Sequence, residues 1–143
     1  MASDQGQDPA TGDLVMALAR RVRRAYVDAL ADWEVTPAQA RALRVLVGAD
    51  GMRPSGLAEV LRIAPRSATE VVDALEERGW VRREPDPSDR RATRVVPTED
   101  GRTLVVRIDD VRREASQRVL DVLTPAQRRT LHGILAVVVG EDL

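Results

Sequence analysis

The chain has 143 residues, no cysteine and a single histidine, and its charged residues, 31% of the total, leave a formal net charge of −1. This length suits one domain with its own core, and the lack of cysteine excludes disulfides, iron–sulfur clusters and cysteine-ligated zinc. A single histidine, His132, argues against a histidine-built metal site, so we expect neither a metal nor a cofactor. The net charge gives no support to nucleic-acid binding, so the distribution of charge has to supply it.

Residues 1–12 are small and polar, with glycine and proline among them, and this composition predicts a disordered N-terminal tail. The tail has no basic segment followed by an apolar one, as a signal peptide requires. No apolar run in the chain approaches the roughly 20 residues of a membrane span. We therefore expect a cytoplasmic protein with no membrane partner.

Helical spacing of apolar residues begins at Asp13 and predicts a first helix that ends near Trp33. A second helix is predicted to start with Thr36 as N-cap, proline at the first helical position and Gln39 completing a capping box. Residues 36–39 read Thr-Pro-Ala-Gln, and the same four residues recur at 124–127, where they predict the start of the last helix.

Two short helices are predicted next, over Pro54–Leu61 and Pro65–Arg78, with Gly79 suited to end the second. Two short extended segments follow, Trp80–Glu84 and Thr93–Val96. The residues between these segments include two prolines, a serine and aspartates, which favour a hairpin loop over continued strands.

Long amphipathic helices are predicted at both ends of the chain, and a capped helix begins after Thr98. The predicted class is mostly α with a small β-hairpin wing, a winged helix-turn-helix with long N- and C-terminal dimerisation helices. Because 143 residues offer little to cover the apolar stripes of these helices, we expect a two-fold homodimer. Within one compact domain, residues 13–50 are expected to form a dimerisation helix and a support helix, 51–98 the DNA-binding lobe, and 99–143 the C-terminal dimerisation helices.

The segment Ser55–Leu75 has the pattern of a helix-turn-helix. Ala58 is small enough for a close crossing of the two helices. The apolar residues at suitable spacing to lock the pair are Leu57, Leu61, Ile63 and Val71. Arg62 lies in the turn, where many such motifs have glycine, so this segment alone leaves open a plain helical hairpin in a core.

The hairpin that follows carries a spaced set of residues, Asp89, Arg91, Val95, Thr98 and Gly101. This pattern resembles the wing of the MarR family of transcriptional regulators, and the resemblance extends over roughly residues 13–139. The family usually has leucine at the position of Pro97. Because proline removes a strand donor, the second wing strand should end or lie at an edge there.

The resemblance implies that the second helix of the motif enters the major groove of DNA and that the wing enters the minor groove. It assigns Arg91 to the minor groove, Asp89 to steadying Arg91, and Arg90 to a phosphate contact. The residues agree, because a narrow minor groove attracts guanidinium groups and five arginines lie within 13 residues of the hairpin: Arg82, Arg83, Arg90, Arg91 and Arg94. The alternative is a surface hairpin whose arginines pair with its own acids, Glu84, Asp86 and Asp89.

The exposed first turns of the second motif helix supply the candidates for base contacts in the major groove. They are Arg66, Ser67, Thr69 and Glu70. Glu70 could accept from cytosine or could orient Arg66 across one helical turn, and we favour the second interpretation. The further candidates for phosphate contacts are Ser55, Arg82 and Arg94.

The resemblance also implies a small-molecule effector, often a phenolic or other aromatic acid, bound between the dimer helices and the DNA-binding lobe. The residues that could line such a pocket are Arg20, Arg24, Tyr26, Trp33, Arg41 and Arg44, with His132 as a further candidate. A cationic fork beside an aromatic ring suits a carboxylated aromatic compound. The alternative is that Tyr26 and Trp33 are core or interface residues and that His132 is an ordinary surface or interface residue.

These features predict a sequence-specific DNA-binding protein that binds a pseudo-palindromic operator as a homodimer. The resemblance implies that it is a transcriptional regulator and that a small-molecule effector releases it from DNA. Repression is the commoner mode in the family that the chain resembles. The alternative is a winged-helix module that binds another protein and not DNA. The sequence has no nucleophile elbow, phosphate-binding loop or glycine-rich dinucleotide turn, so we do not expect an enzyme.

Overall fold

In a computed structural model, which describes residues 9–140, the chain forms six helices and one antiparallel hairpin. The elements are α1 (Thr11–Ala31), α2 (Pro37–Gly48), α3 (Pro54–Leu61), α4 (Pro65–Glu77), β1 (Val81–Asp86), β2 (Asp89–Pro97), α5 (Glu99–Leu120) and α6 (Pro125–Val139). The predicted class, mostly α with a small hairpin, is confirmed. Of the predicted tail, residues 1–8 lie outside the described residues, and α1 begins at Thr11, two residues before the predicted start.

The chain divides into two compact units. One unit, Val27–Arg112, contains the end of α1, the helix-turn-helix, the hairpin and the first part of α5. The other unit consists of Met1–Tyr26 and Arg113–Leu143, and we refer to it as the terminal unit. Among the described residues, no helix combines the length and the apolar character that a membrane span needs.

The core of the unit Val27–Arg112 is built from one face of each element. Its largest fully buried side chains are Leu30, Leu43, Leu46, Leu57, Leu75, Ile108, Val72, Val81 and Val95. Burial of a side chain of this size contributes about 1.5–3 kcal/mol relative to exposure. The buried face of α4 is therefore fixed, and its opposite face remains at the surface.

The helix starts that the sequence predicts from capping chemistry are confirmed. The Thr36 hydroxyl accepts from the Gln39 amide at 3.2 Å, and the Gln39 side chain accepts from the Thr36 amide at 2.9 Å. The same reciprocal pair joins Thr124 and Gln127 at the start of α6. A cap of this kind contributes about 1 kcal/mol, because it satisfies amide groups that the helix leaves unpaired.

The end of α4 also follows the sequence. Gly79 adopts the left-handed conformation with φ of 72°, as predicted for the residue that ends this helix. Its amide donates to Glu76 at 2.9 Å, and the Trp80 amide donates to Leu75 at 3.0 Å. These two hydrogen bonds form a Schellman motif, which turns the chain directly from α4 into the hairpin.

The hairpin is longer than the sequence predicts. Its strands continue to Asp86 and from Asp89, so the predicted loop over 85–92 is wrong and the turn consists of residues 87–88. Pro85 pairs with Thr93 next to a register irregularity, a position that proline tolerates because an edge strand can lack one ladder donor. The expectation for the other end is confirmed, because β2 ends at Pro97.

A third segment joins the hairpin through one residue, which no pattern in the sequence indicates. Met52 exchanges both backbone hydrogen bonds with Val95, at 3.0 and 2.8 Å. Gly51, with φ of 96°, allows this approach, because a Cβ there would lie 2.8 Å from the Val95 carbonyl oxygen. The residues just before α3 are thereby fixed against β2 near its C-terminal end.

Thr98 joins the end of α4, the start of β1 and the start of α5. Its amide donates to the Trp80 carbonyl at 3.0 Å, and its hydroxyl donates to the Gly79 carbonyl at 2.7 Å. The same hydroxyl accepts from the Gly101 amide at 3.1 Å. Gly101 is buried against this junction, where a Cβ would lie 2.1 Å from the Trp80 oxygen.

Candidate nucleic-acid interface

The helices α3 and α4 form the predicted helix-turn-helix. The side chains that bury their contact are Leu57, Ala58 and Leu61 on α3 and Ala68, Val72 and Leu75 on α4. Arg62 occupies the turn with φ of 54° and ψ of 49°, the left-handed conformation for which many such turns use glycine. The turn therefore keeps its usual backbone conformation, with arginine in place of glycine. The left-handed conformation costs a residue with a Cβ about 1–2 kcal/mol.

The four candidates for base contacts lie exposed on the first two turns of α4. The Arg66 guanidinium donates to the Glu70 carboxylate at 3.1 Å, which is the pair across one helical turn that the sequence favours. The Thr69 hydroxyl donates to the Pro65 carbonyl at 3.1 Å, so its lone pairs remain able to accept. Ser67 is exposed between them. This face offers two hydroxyls, a guanidinium and a carboxylate to a ligand.

The tip of the wing presents two arginines without acidic partners. Arg90 and Arg91 are exposed, and neither forms a salt bridge within the part of the chain that the structure describes. The Asp89 carboxylate accepts from the Arg91 backbone amide at 3.0 Å. Asp89 therefore holds the backbone of Arg91 and leaves its guanidinium available.

The other arginines of the hairpin have partners. Arg82 contacts Glu84 at 3.4 Å, and Arg83 pairs with the α4 residues Asp73 and Glu76. The surface-hairpin alternative, in which the arginines pair with hairpin acids, thus describes Arg82 and Arg94, which both contact Glu84, but not the two arginines at the tip. The Arg83 pairs instead tie β1 to the surface of α4.

The three further candidates for phosphate contacts differ in their surroundings. Ser55 is exposed in the first turn of α3, and the side chain of Arg82 is 60% exposed. Arg94 is 24% exposed and donates to the Asp50 carbonyl, so a phosphate contact from Arg94 has to replace that hydrogen bond. The roles of all three residues stay predictions.

An ion pair between Arg53 and Asp86 joins α3 to the end of β1, and no pattern in the sequence indicates it. The Arg53 Nε donates to Asp86 Oδ2 at 2.6 Å. The other oxygen, Oδ1, accepts from the amide and the hydroxyl of Ser88, at 2.8 and 2.6 Å. These donors, the Arg53 side chain first among them, hold the pKa of Asp86 well below its usual range, and the Arg53 pKa is raised by the same contact.

The candidate effector residues are distributed over both units. Arg20, Arg24 and Tyr26 belong to the terminal unit, whereas Trp33, Arg41 and Arg44 belong to the unit Val27–Arg112. In the latter, the Arg107 guanidinium lies 5.7 Å from the centre of the Trp33 ring, and Arg44 pairs with Asp109 at 3.0 Å. His132 is exposed and lines an open groove of about 820 Å³ along α6, together with Pro125, Arg128, Arg129 and Gly133.

A helix-turn-helix with an exposed polar face on its second helix, followed at once by a hairpin with free arginines at its tip, defines a winged helix-turn-helix protein. The MarR family profile matches residues 35–93 of the chain. The chain is also 32% identical over 117 residues to the uncharacterized HTH-type transcriptional regulator Mb0904 of Mycobacterium bovis, and the match covers 82% of this chain and 79% of that protein. The chain belongs to the MarR family of transcriptional regulators.

A second curated relative is a regulatory protein named for the hcr operon of Thauera aromatica, which is 32% identical over 108 residues. The match covers 76% of this chain and 65% of that protein, so the chain spans slightly less than two thirds of this relative. Both relatives bear the names of transcriptional regulators, which confirms the expectation that the chain is not an enzyme.

Solved structures share the fold over nearly the whole chain. Apo MarR of E. coli is similar with a TM-score of 0.81 and 25% identity, over 94% of this chain and 99% of that one. A mutant MarR of E. coli in complex with operator DNA has a TM-score of 0.66 and 26% identity, over 90% and 93% of the two chains. The Mycobacterium tuberculosis MarR family protein Rv2887 in complex with p-aminosalicylic acid has a TM-score of 0.70 and 27% identity, over 92% and 100%.

Proposed function

We propose that the protein regulates transcription by binding double-stranded DNA, with α4 in the major groove and the wing tip in the minor groove. The observation that carries this proposal is the state of Arg90 and Arg91, which are exposed and free of acidic partners while Arg82 and Arg83 have them. The similar E. coli structure with operator DNA supports it. Such a regulator acts in the cytoplasm, where the bacterial chromosome lies.

The experiment that tests this proposal is a fluorescence anisotropy titration with the DNA upstream of the protein's own gene. Logarithmic affinity is expected to fall linearly with logarithmic salt concentration, by about 0.9 for each phosphate that the protein neutralises. A scrambled duplex of equal length is the control. The rival proposal, a winged helix that binds only proteins, requires affinity that is weak and equal for both duplexes.

We propose further that the DNA-binding form is a homodimer on a pseudo-palindromic operator. None of the residues of α6 is buried, although the helix is rich in apolar side chains, and Ile134, Val137 and Val138 are 57, 84 and 77% exposed. An isolated helix of this length is marginal in water, so its apolar face needs a partner surface. A second copy of the chain provides one, and its symmetry places two wings on half-sites about one helical turn apart.

The double variant Val137→Asp/Val138→Asp is expected to be monomeric at micromolar concentration, because it places two carboxylates on this apolar face. Light scattering coupled to size-exclusion chromatography measures the change, and operator affinity is expected to fall with it. The control is Val106→Asp, which makes the same change at a valine that is 62% exposed in the unit Val27–Arg112. Dimers that persist in the double variant contradict the assignment of this face.

We propose that the regulator is a repressor that a small carboxylated aromatic compound releases from DNA. The similar protein Rv2887 in complex with p-aminosalicylic acid supports this ligand class. Among the candidate residues, Arg41 is exposed on α2 and offers a guanidinium to a carboxylate. A ligand that fits one arrangement of the dimer better changes the spacing of the two recognition helices and lowers operator affinity.

With p-aminosalicylate at millimolar concentration, we expect a rise in melting temperature and a fall in operator affinity. Arg41→Ala is expected to reduce both effects, and Arg62→Ala, an exposed arginine of the turn, serves as the control for melting. A rise in melting temperature without any change in operator affinity contradicts release by this ligand.

A further inference from the structure

The ion pair between Arg53 and Asp86 lies at the border of the helix-turn-helix and the wing. We propose that it is a clamp that positions the wing for DNA binding, and that Arg53 acts through Asp86 and not through a contact with DNA phosphate. Arg53 is the N-cap residue of α3, and Asp86 is the last residue of β1, directly before the turn of the wing. The inference rests on the proposed DNA-binding function and assigns two positioning residues to it.

Both carboxylate oxygens of Asp86 accept hydrogen bonds. Its side chain is 13% exposed, although it lies at the end of a hairpin. Arg53 donates to one oxygen at 2.6 Å, and both donors of Ser88 reach the other oxygen. The Arg53 Nη2 also lies 3.4 Å from the Ser88 hydroxyl. One carboxylate therefore fixes the turn internally and ties it to α3.

The wing needs such a tie because a two-stranded hairpin is marginally stable by itself. The bridge between Met52 and Val95 holds β2 near its C-terminal end, far from the tip of the wing. The second attachment lies closer to the tip, where the side chain of Arg53, the residue after Met52, contacts Asp86 at the end of β1. Asp86 precedes Asp89 by three residues, so its position sets where Arg90 and Arg91 lie relative to α4.

The two possible roles of Arg53 predict changes in DNA affinity of opposite sign in the variant Asp86→Asn. If Arg53 neutralises a DNA phosphate, Asp86 competes with that phosphate, and Asp86→Asn raises affinity by freeing the guanidinium and removing a negative charge from the DNA-binding face. If the pair is a clamp, Asp86→Asn releases the wing and lowers affinity. An ion pair that is still partly open to solvent contributes at most about 1 kcal/mol, so the expected loss is about 2- to 5-fold for each of the two wings.

The experiment is a double-mutant cycle on operator DNA with Arg53→Gln, Asp86→Asn and the double variant, each measured at several salt concentrations. The clamp predicts that both single variants lose affinity, that the double variant loses no more than either, and that the salt slope is unchanged. A phosphate contact from Arg53 predicts a slope that is shallower by about 1 per subunit in Arg53→Gln, with affinity lowered in Arg53→Gln and raised in Asp86→Asn. The latter result overturns the proposal.

Glu84→Gln is the matched control, because it removes a carboxylate from the same strand without touching Arg53, and it is expected to leave affinity equal or higher. A readout without DNA is the rate at which trypsin cleaves after Arg90 and Arg91, which the clamp predicts to be faster in Asp86→Asn than in Glu84→Gln. Equal rates and unchanged affinity in Asp86→Asn overturn the clamp alone. A wild-type protein without salt-sensitive binding overturns the proposed function as well.

Discussion

Arg91→Ala is expected to lower operator affinity by about 100-fold or more, because one arginine contact of this kind contributes about 1–3 kcal/mol and the homodimer loses it in both wings. The structure gives the physical reason, since the Arg91 guanidinium is exposed and Asp89 holds the Arg91 backbone. A narrow minor groove has an enhanced negative potential, so a guanidinium inserted there is strongly attracted to the DNA. The measurement is anisotropy on operator duplexes at fixed salt.

The base composition of the duplex adds a second readout for Arg91. Replacement of A·T pairs by G·C pairs where the wing meets the DNA is expected to weaken the wild type and to have little effect on Arg91→Ala. Arg90→Ala, a predicted phosphate contact, is expected to weaken all sequences alike and to reduce the salt slope by about one per subunit. Arg23→Ala removes the same charge from α1 and is the control. Unchanged affinity in Arg91→Ala contradicts the wing assignment.

Gly101→Ala is expected to destabilise the folded protein by about 3 kcal/mol or more, at the upper end of the effects of overpacking. The added Cβ would lie 2.1 Å from the Trp80 carbonyl oxygen and 3.3 Å from Leu43 Cδ1. The first of these atoms belongs to the backbone, so the conflict is relieved only if α5 moves away from the hairpin. A fall in melting temperature of about 10 °C is expected, measured at equal protein concentration because dimerisation adds to stability.

Gly56→Ala is the matched control for this prediction. Gly56 lies in α3 of the same unit, and a Cβ there would meet no atom within 4 Å. Alanine in a helix is favoured over glycine by about 0.5–1 kcal/mol, so this variant is expected to melt at an equal or higher temperature. The same substitution is thus expected to lower the melting temperature at Gly101 and to leave it equal or raise it at Gly56. A Gly101→Ala variant as stable as the wild type contradicts the close packing of Gly101 against Trp80.

Local chemistry explains which parts of the fold could be predicted from the sequence. Thr36 and Gln39 satisfy each other's backbone within four residues, so their pattern predicts the start of α2 without knowledge of the rest. Prolines at the first helical position likewise mark the starts of α3 and α4, and Gly79 marks the end of α4. These features depend on neighbours along the chain, which the sequence shows directly.

The wing shows where local rules fail. Proline alone disfavours a strand, yet Pro85 in β1 pairs with Thr93 in β2. It can do so because each strand of a two-stranded ribbon has an outer edge, where a backbone N–H donor is not needed. Met52 forms its bridge as a single residue, and one residue has no periodicity to read. Both outcomes are decided by the neighbouring strand, which becomes a neighbour only in the folded chain.

The candidate interface divides in the same way. The exposed face at the start of α4 could be predicted, because helical periodicity separates it from the buried Ala68 and Val72. The partner of each arginine could not, because the choice depends on distances in the folded chain. Arg53 and Asp86 are 33 residues apart, so no spacing rule joins them.

The junction at Thr98 has a consequence for how the protein opens locally. The Thr98 amide and hydroxyl hold the carbonyls of Trp80 and Gly79, and the Gly101 amide depends on the same hydroxyl. The last turn of α4 therefore cannot fray without disturbing the first turn of α5. In hydrogen exchange, the amides of Trp80, Thr98 and Gly101 are expected to exchange together, with one shared opening free energy. The helix assigned to base recognition is thus anchored at the end that faces away from its first turns.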